Sequence, residues 1–192
     1  MKKLFFIAGM VAMTCTGFAQ DMTFGAKAGL NLANIVGDDA GDDNTMMMGI
    51  FAGGYANFAM TDQLSIQPEL VFSMQGTTEE TEFGDVDYNL NYINIPVMAM
   101  YEVMDGLNLR TGPQLGILMS AEADFDGETV DIKDDLSSID FSWGFGAGYS
   151  MEQGLSFDVR YNYGLTSIED PEEGDGGDVF NGVIQMAVGY NF

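Results

Sequence analysis

From Phe180 to Phe192 the chain alternates: Phe180, Gly182, Ile184, Met186, Val188, Tyr190 and Phe192 share one face, and Asn181, Val183, Gln185, Ala187, Gly189 and Asn191 share the other. A period of two is the signature of a strand with two unlike surroundings. The same reading predicts eight strands, at about 22–35, 47–61, 64–75, 88–101, 107–120, 139–151, 155–166 and 180–192. The stretch 155–166 is the cleanest, with Leu155, Phe157, Val159, Tyr161, Tyr163 and Leu165 opposite Ser156, Asp158, Arg160, Asn162 and Gly164. The stretch 47–61 is ambiguous, because Gly53, Gly54 and several alanines blur its faces, and 88–101 shows a phase slip between Leu90 and Ile93. Pro113 falls on the apolar face of its strand, where a bulge or an unpaired position must accommodate it.

The connections alternate in length. Short turns fall near Thr61-Asp62-Gln63, between Val103 and Gly106 and at Glu152-Gln153-Gly154; long loops are expected at 36–46, 76–87, 121–138 and 167–179. Each strand supplies the roughly 9–11 residues that a tilted membrane strand requires, and no later apolar run approaches the roughly 20 of a membrane helix. These features predict an all-β fold, an eight-stranded antiparallel up-and-down transmembrane β-barrel with four long acidic extracellular loops and three short periplasmic turns. Both termini then lie at the short-turn rim, on the periplasmic side of the outer membrane of a Gram-negative bacterium.

The amino-terminal residues add an address. Lys2 and Lys3 precede an apolar run from Leu4 to Met13, and Gly17 and Ala19 have the spacing a signal peptidase accepts, so residues 1–19 read as a signal peptide and 20–192 as the barrel domain. Cleavage removes Cys15, the single cysteine; retention of an acylated Cys15 is the alternative, but Thr14 is a poor neighbour for that processing. The mature chain then has neither Cys nor His, which removes disulfides and the usual zinc and haem sites. The net charge is -24, and loss of Lys2 and Lys3 takes it to -26, which disfavours nucleic acid as a partner.

Alternation alone does not say which face points inward, since a soluble lipocalin-like barrel turns its apolar face to an enclosed ligand. Two features favour the inverted arrangement. The apolar set is bulky while the opposite set is rich in Gly, Ser and Asn, and an eight-stranded barrel has little interior volume. Moreover, 22 of 30 acidic residues fall in the four long loops rather than on the walls. The wall charges Lys27, Glu69, Arg110, Asp158 and Arg160 all lie on polar faces and are expected to form an ion-paired network filling the lumen. Phe141, Trp143, Tyr149, Phe157, Tyr161, Tyr190 and Phe192 are expected to face the membrane. With Phe58 and Tyr101 toward one rim and Phe72 and Phe180 toward the other, they suggest two aromatic girdles.

The sequence resembles the small outer-membrane beta-barrel, porin-like proteins of the Bacteroidetes. The resemblance rests on Gly25-Ala26-Lys27-Ala28-Gly29-Leu30-Asn31, on Gln67-Pro68-Glu69-Leu70 with Gly76, on Ile95-Pro96-Val97, on Tyr161-Asn162-Tyr163-Gly164-Leu165 and on the aromatic terminus. It covers nearly the whole mature chain and implies a fold and a location, without a guaranteed pore and without catalytic residues. It also implies that Phe192 helps the barrel assembly machinery recognise the chain.

The acidic loops suggest two readings. Asp38, Asp39, Asp42 and Asp43, and likewise Asp124, Asp126 and Glu128, offer oxygen ligands for weak Ca2+ or Mg2+ binding, which would also bridge the rim to lipopolysaccharide, although EF-hand spacing is not met. Otherwise they are a solvated surface kept soluble by charge. Without His or Cys to activate a nucleophile, an enzyme is not expected. The expected role is a non-enzymatic, monomeric outer-membrane barrel, structural or surface-binding, in contact with lipid and lipopolysaccharide. A small solute or ion channel and an exported soluble carrier of an apolar ligand are the alternatives.

Overall fold

The computed structural model describes residues 22–37, 44–81, 84–168 and 179–192. Residues 1–19, read above as a signal peptide, lie outside them, as do Asp38, Asp39, Asp42 and Asp43 and the acidic stretch 169–178. Nine strands occur in the order β1 Met22–Val36, β2 Asn44–Ala59, β3 Leu64–Thr81, β4 Gly84–Met104, β5 Leu107–Phe125, β6 Glu128–Asp131, β7 Ile139–Ser150, β8 Leu155–Gly164 and β9 Phe180–Asn191. Eight of them close a ring: each pairs antiparallel with its chain neighbour, β5 with β7, and β1 with β9 through Gly25↔Asn191 to Val36↔Phe180. Closure leaves no open sheet edge in the wall, the condition for strands to cross hydrocarbon. The ninth, β6, is a short strand attached to β5 above the ring.

Parity sorts the side chains. In β8, Phe157, Val159, Tyr161 and Tyr163 are exposed while Ser156, Asp158, Arg160 and Asn162 are buried. All seven residues expected to face the membrane lie on the exposed outer surface. The interior instead holds polar and charged groups, which corrects the lipocalin-like alternative: that reading requires an apolar inside, and here the apolar side chains point out.

Some bulky groups do enter. Phe51, Tyr55, Tyr92, Met98 and Met100 are buried, so the expectation of large outside and small inside holds only in part. Tyr55 fits because Gly25 lies opposite, where any Cβ would strike the phenol ring. Its hydroxyl donates to Asn191 Oδ1 at 2.9 Å, tying β2 to the last strand.

Two expected loops are corrected. At 76–87 the structure has mostly strand: β3 and β4 continue as a hairpin, paired from Gly76↔Asn89 up to Thr81↔Gly84. At 121–138, β5 runs on to Phe125, turns at Asp126-Gly127, returns as β6, and is followed by a 3-10 turn at Lys133–Asp135. Both turn residues have positive φ, 50° and 83°, the backbone of the two-residue turn that Asp-Gly favours. The expected slip between Leu90 and Ile93 is not a slip: β4 keeps its parity, with Leu90, Tyr92 and Asn94 all inward, and it is β5 that bulges, where the register passes from Asn91↔Ser120 to Tyr92↔Leu118. Pro113 faces Trp143 across β5 and β7, opposite a stretch without paired residues between β4 and β5.

Candidate functional site

The barrel interior gathers the wall charges in two ion-paired groups. Glu69, on β3, takes Lys27 Nζ of β1 at 2.6 Å and Arg160 Nη1 of β8 at 3.3 Å. Arg110, on β5, reaches Asp158 of β8 at 3.2 Å. These strands lie around much of the ring, so the side chains meet across the lumen, not along one wall. All five are 5% exposed or less, where an ion loses most of its hydration and must recover it from partners.

Hydrogen bonds extend the first group. Gln67 Nε2 donates to Glu69 Oε1 at 2.8 Å, and Arg160 Nη2 donates to Gln185 Oε1 at 2.7 Å. Gln185 Nε2 then donates to Asn31 Oδ1 at 2.9 Å, and Asn31 Nδ2 to Ser73 Oγ at 2.9 Å. The resulting polar layer crosses β3, β1, β9 and β8. Arg110 Nε is held separately by Asn108 Oδ1 at 2.7 Å, and Gly148 leaves the space its guanidinium fills. Toward the short-turn rim a polar cavity of about 20 Å³ adjoins Lys27, Arg110 and Asp158; this is room for about one water.

A second closure, which strand alternation does not foretell, lies toward the opposite rim. Leu90, Tyr92, Leu118 and Ala121 point inward and pack with Ile168 and Val179, with Ile35, Ile132 and Leu136 against them. Backbone bonds hold the connecting segments over the mouth: Ser137 N–H to Ile168 O at 2.8 Å, and Ile168 N–H to Val179 O at 2.9 Å. Beneath this cap Asn181 Nδ2 donates to Asp140 Oδ2 at 3.1 Å and to the Tyr92 hydroxyl at 3.3 Å. Asp140 has no cationic partner among the described residues. A signal for the cap existed in the isolated apolar residues Ile132, Leu136, Ile168 and Val179 within otherwise acidic loops.

The cation-ligand expectation fares differently. Asp124 pairs with Thr129 and Phe125 with Glu128, so Asp124 and Glu128 fall on opposite faces of the β5–β6 hairpin while Asp126 forms its turn. Asp124 Oδ2 instead accepts from Thr129 Oγ1 at 3.1 Å. The three carboxylates do not converge, and among the described residues no group of three or more acidic side chains is placed to hold a metal.

Comparison with known proteins accords with this architecture. Residues 18–170 match the model of the outer membrane protein beta-barrel domain family, so the chain belongs to that family. No curated protein sequence matches. Among solved structures, Neisserial surface protein A is similar with a TM-score of 0.62 at 14% identity, covering 90% of this chain and 100% of that one. Ail, the attachment invasion locus protein of Yersinia pestis, in complex with the heparin analogue sucrose octasulfate, gives 0.53 at 14% identity with the same coverage. At these identities the likeness is one of fold.

Proposed function

We propose that this member of the family is a sealed outer-membrane barrel that displays an acidic sheet at the cell surface, and is neither an open pore nor an enzyme. The observation that carries the reading is double closure: an ion-paired polar layer across the lumen and an apolar cap over one mouth. A solute path would have to break the polar layer, leaving buried charges unpaired, and also strip the cap. The outer apolar belt faces lipid, a monomer follows from the closed ring, and both termini sit at the short-turn rim in the periplasm. Lipopolysaccharide then surrounds the long-loop rim, and the terminal Phe192 serves recognition by the assembly machinery.

Ail's polyanionic ligand does not transfer by analogy. This chain carries 30 acidic and 6 basic residues, so its rim repels sulfated sugars. The display reading is tested by labelling. Removal of residues 1–19 leaves no native cysteine. Glu128→Cys, exposed on β6, is expected to react with a membrane-impermeant maleimide in intact cells, and Asp62→Cys, exposed in the β2–β3 turn, only after lysis. The reverse pattern would overturn the orientation.

A further inference from the structure

The polarity of the wall inverts where it leaves the apolar belt. Along β4, outward residues Ile93, Ile95 and Val97 give way to Asp87 and Asp85, while inward residues change from Asn94 to Tyr92, Leu90, Tyr88 and Val86. In β5, outward Leu115 and Ile117 give way to Glu122 and Asp124, and the inward side ends in Ala123 and Phe125. Above the ring β4 and β5 are therefore built like half of a soluble sheet, largely apolar inside and acidic outside, with Glu79 opposite Val86 and Glu128 opposite Phe125 as acidic groups on the inner side. Its inner face stays partly open: Phe125 is 40% and Val130 60% exposed.

Among the described residues this sheet also has a free edge. The Asp-Gly turn makes Phe125 and Glu128 a mutually bonded pair, and Ile132 N–H bonds Ala121 O at 3.0 Å, so even-numbered β6 residues bond to β5. By the alternation of an antiparallel ladder, the backbone groups of Thr129 and Asp131 then point away from β5. On that side β7 flanks β5 only as far as Ile117, and among the described residues no strand other than β5 pairs with β6. An exposed edge of this kind is a template for a further strand.

From the edge, the open apolar face and the charge, we propose that β6 is a docking edge for an extended cationic amphipathic peptide, which adds as a strand beside it. Backbone bonds to Thr129 and Asp131 supply register, alternate apolar side chains cover Val130 and the stem of Glu128 in front of Phe125, and the intervening basic ones meet Asp131 and, across β6, Glu122. Charge selects this occupant. A second copy of a chain with net charge -24 is repelled, as are anionic lipid headgroups. The acidic segments 38–43 and 169–178 contain no large apolar residue with which to cover the face themselves. The surface function rests on the display reading above, but the binding test does not depend on orientation.

The experiment uses the refolded mature chain in zwitterionic micelles, with empty micelles as blank. Fluorescence anisotropy would follow a labelled eight-residue peptide of alternating Lys and Val, and its Glu-Val counterpart. The expected result is saturable binding of the Lys-Val peptide, weakened about tenfold between low and half-molar salt, with none of the Glu-Val peptide. Thr129→Pro, which removes an edge N–H, and the independent Val130→Lys on the exposed apolar face are each expected to weaken binding about tenfold or more. Equal binding by both variants, absence of binding, or concentration-dependent self-association through this edge would overturn the proposal. The maleimide experiment judges the display reading separately.

Discussion

A Glu69→Ala barrel is expected to lose about 3–5 kcal/mol of stability, the cost of removing one partner from a buried ion pair. Glu69 is the carboxylate that answers two buried cations, Lys27 at 2.6 Å and Arg160 at 3.3 Å. Without it those cations remain in the lumen facing each other, while Asp158 is engaged by Arg110. Glu69→Gln keeps the shape yet loses the charge, so it is expected to fall between parent and alanine variant. Adding Lys27→Met to Glu69→Ala removes one stranded cation and is expected to recover part of the loss, which a double-mutant cycle reads directly. The measurement is a denaturant titration of the folded barrel in micelles. A loss below about 1 kcal/mol would show that the triad is solvated rather than buried.

Val159→Arg is expected to be almost as damaging, for the opposite reason. Val159 lies between Asp158 and Arg160 in β8, yet it points outward and is 54% exposed, while both neighbours are buried. On the surface of a soluble barrel such a change costs little, within about 0.5 kcal/mol. Facing hydrocarbon, an arginine costs about 2–4 kcal/mol near the midplane. Refolding into lipid vesicles, followed by the gel-mobility difference between folded and unfolded forms, is therefore expected to give a much smaller folded fraction than the parent. Parent-like folding would mean that this wall does not meet lipid.

These two variants also mark what could be read from sequence. Placing Lys27 between Ala26 and Ala28, or Arg160 between Val159 and Tyr161, requires only that a strand alternates, and the ring keeps that parity. Which charge meets which is another matter. Lys27 and Arg160 converge on Glu69 because the curvature and register of a closed sheet bring β1, β3 and β8 together across the lumen, a long-range property invisible to a local window. Phe51 and Tyr55 were unreadable for a related reason, since the space that admits the Tyr55 ring is provided by Gly25 on another strand.

The upper parts of β3, β4 and β5 look like loops in the sequence because they are acid-rich, and in β4 and β5 the polarity is inverted relative to the wall below. Val86, Tyr88 and Leu90 alternate as regularly as Ile93, Ile95 and Val97, but on the other face. A change of surroundings from lipid to water flips the face that must be apolar, so it looks like a slip in phase. The cap is hidden for a related reason: Ile132, Leu136, Ile168 and Val179 are scattered apolar residues in or beside charged segments, and only the fold brings them together.

Single-channel recording in planar bilayers tests the closure of the lumen most directly. Purified parent protein, inserted at low density, is expected to show no discrete current steps above the bare bilayer. Uniform steps that recur with each insertion and scale with salt concentration would contradict the closed lumen, because ions would then be crossing both the Glu69 layer and the apolar cap.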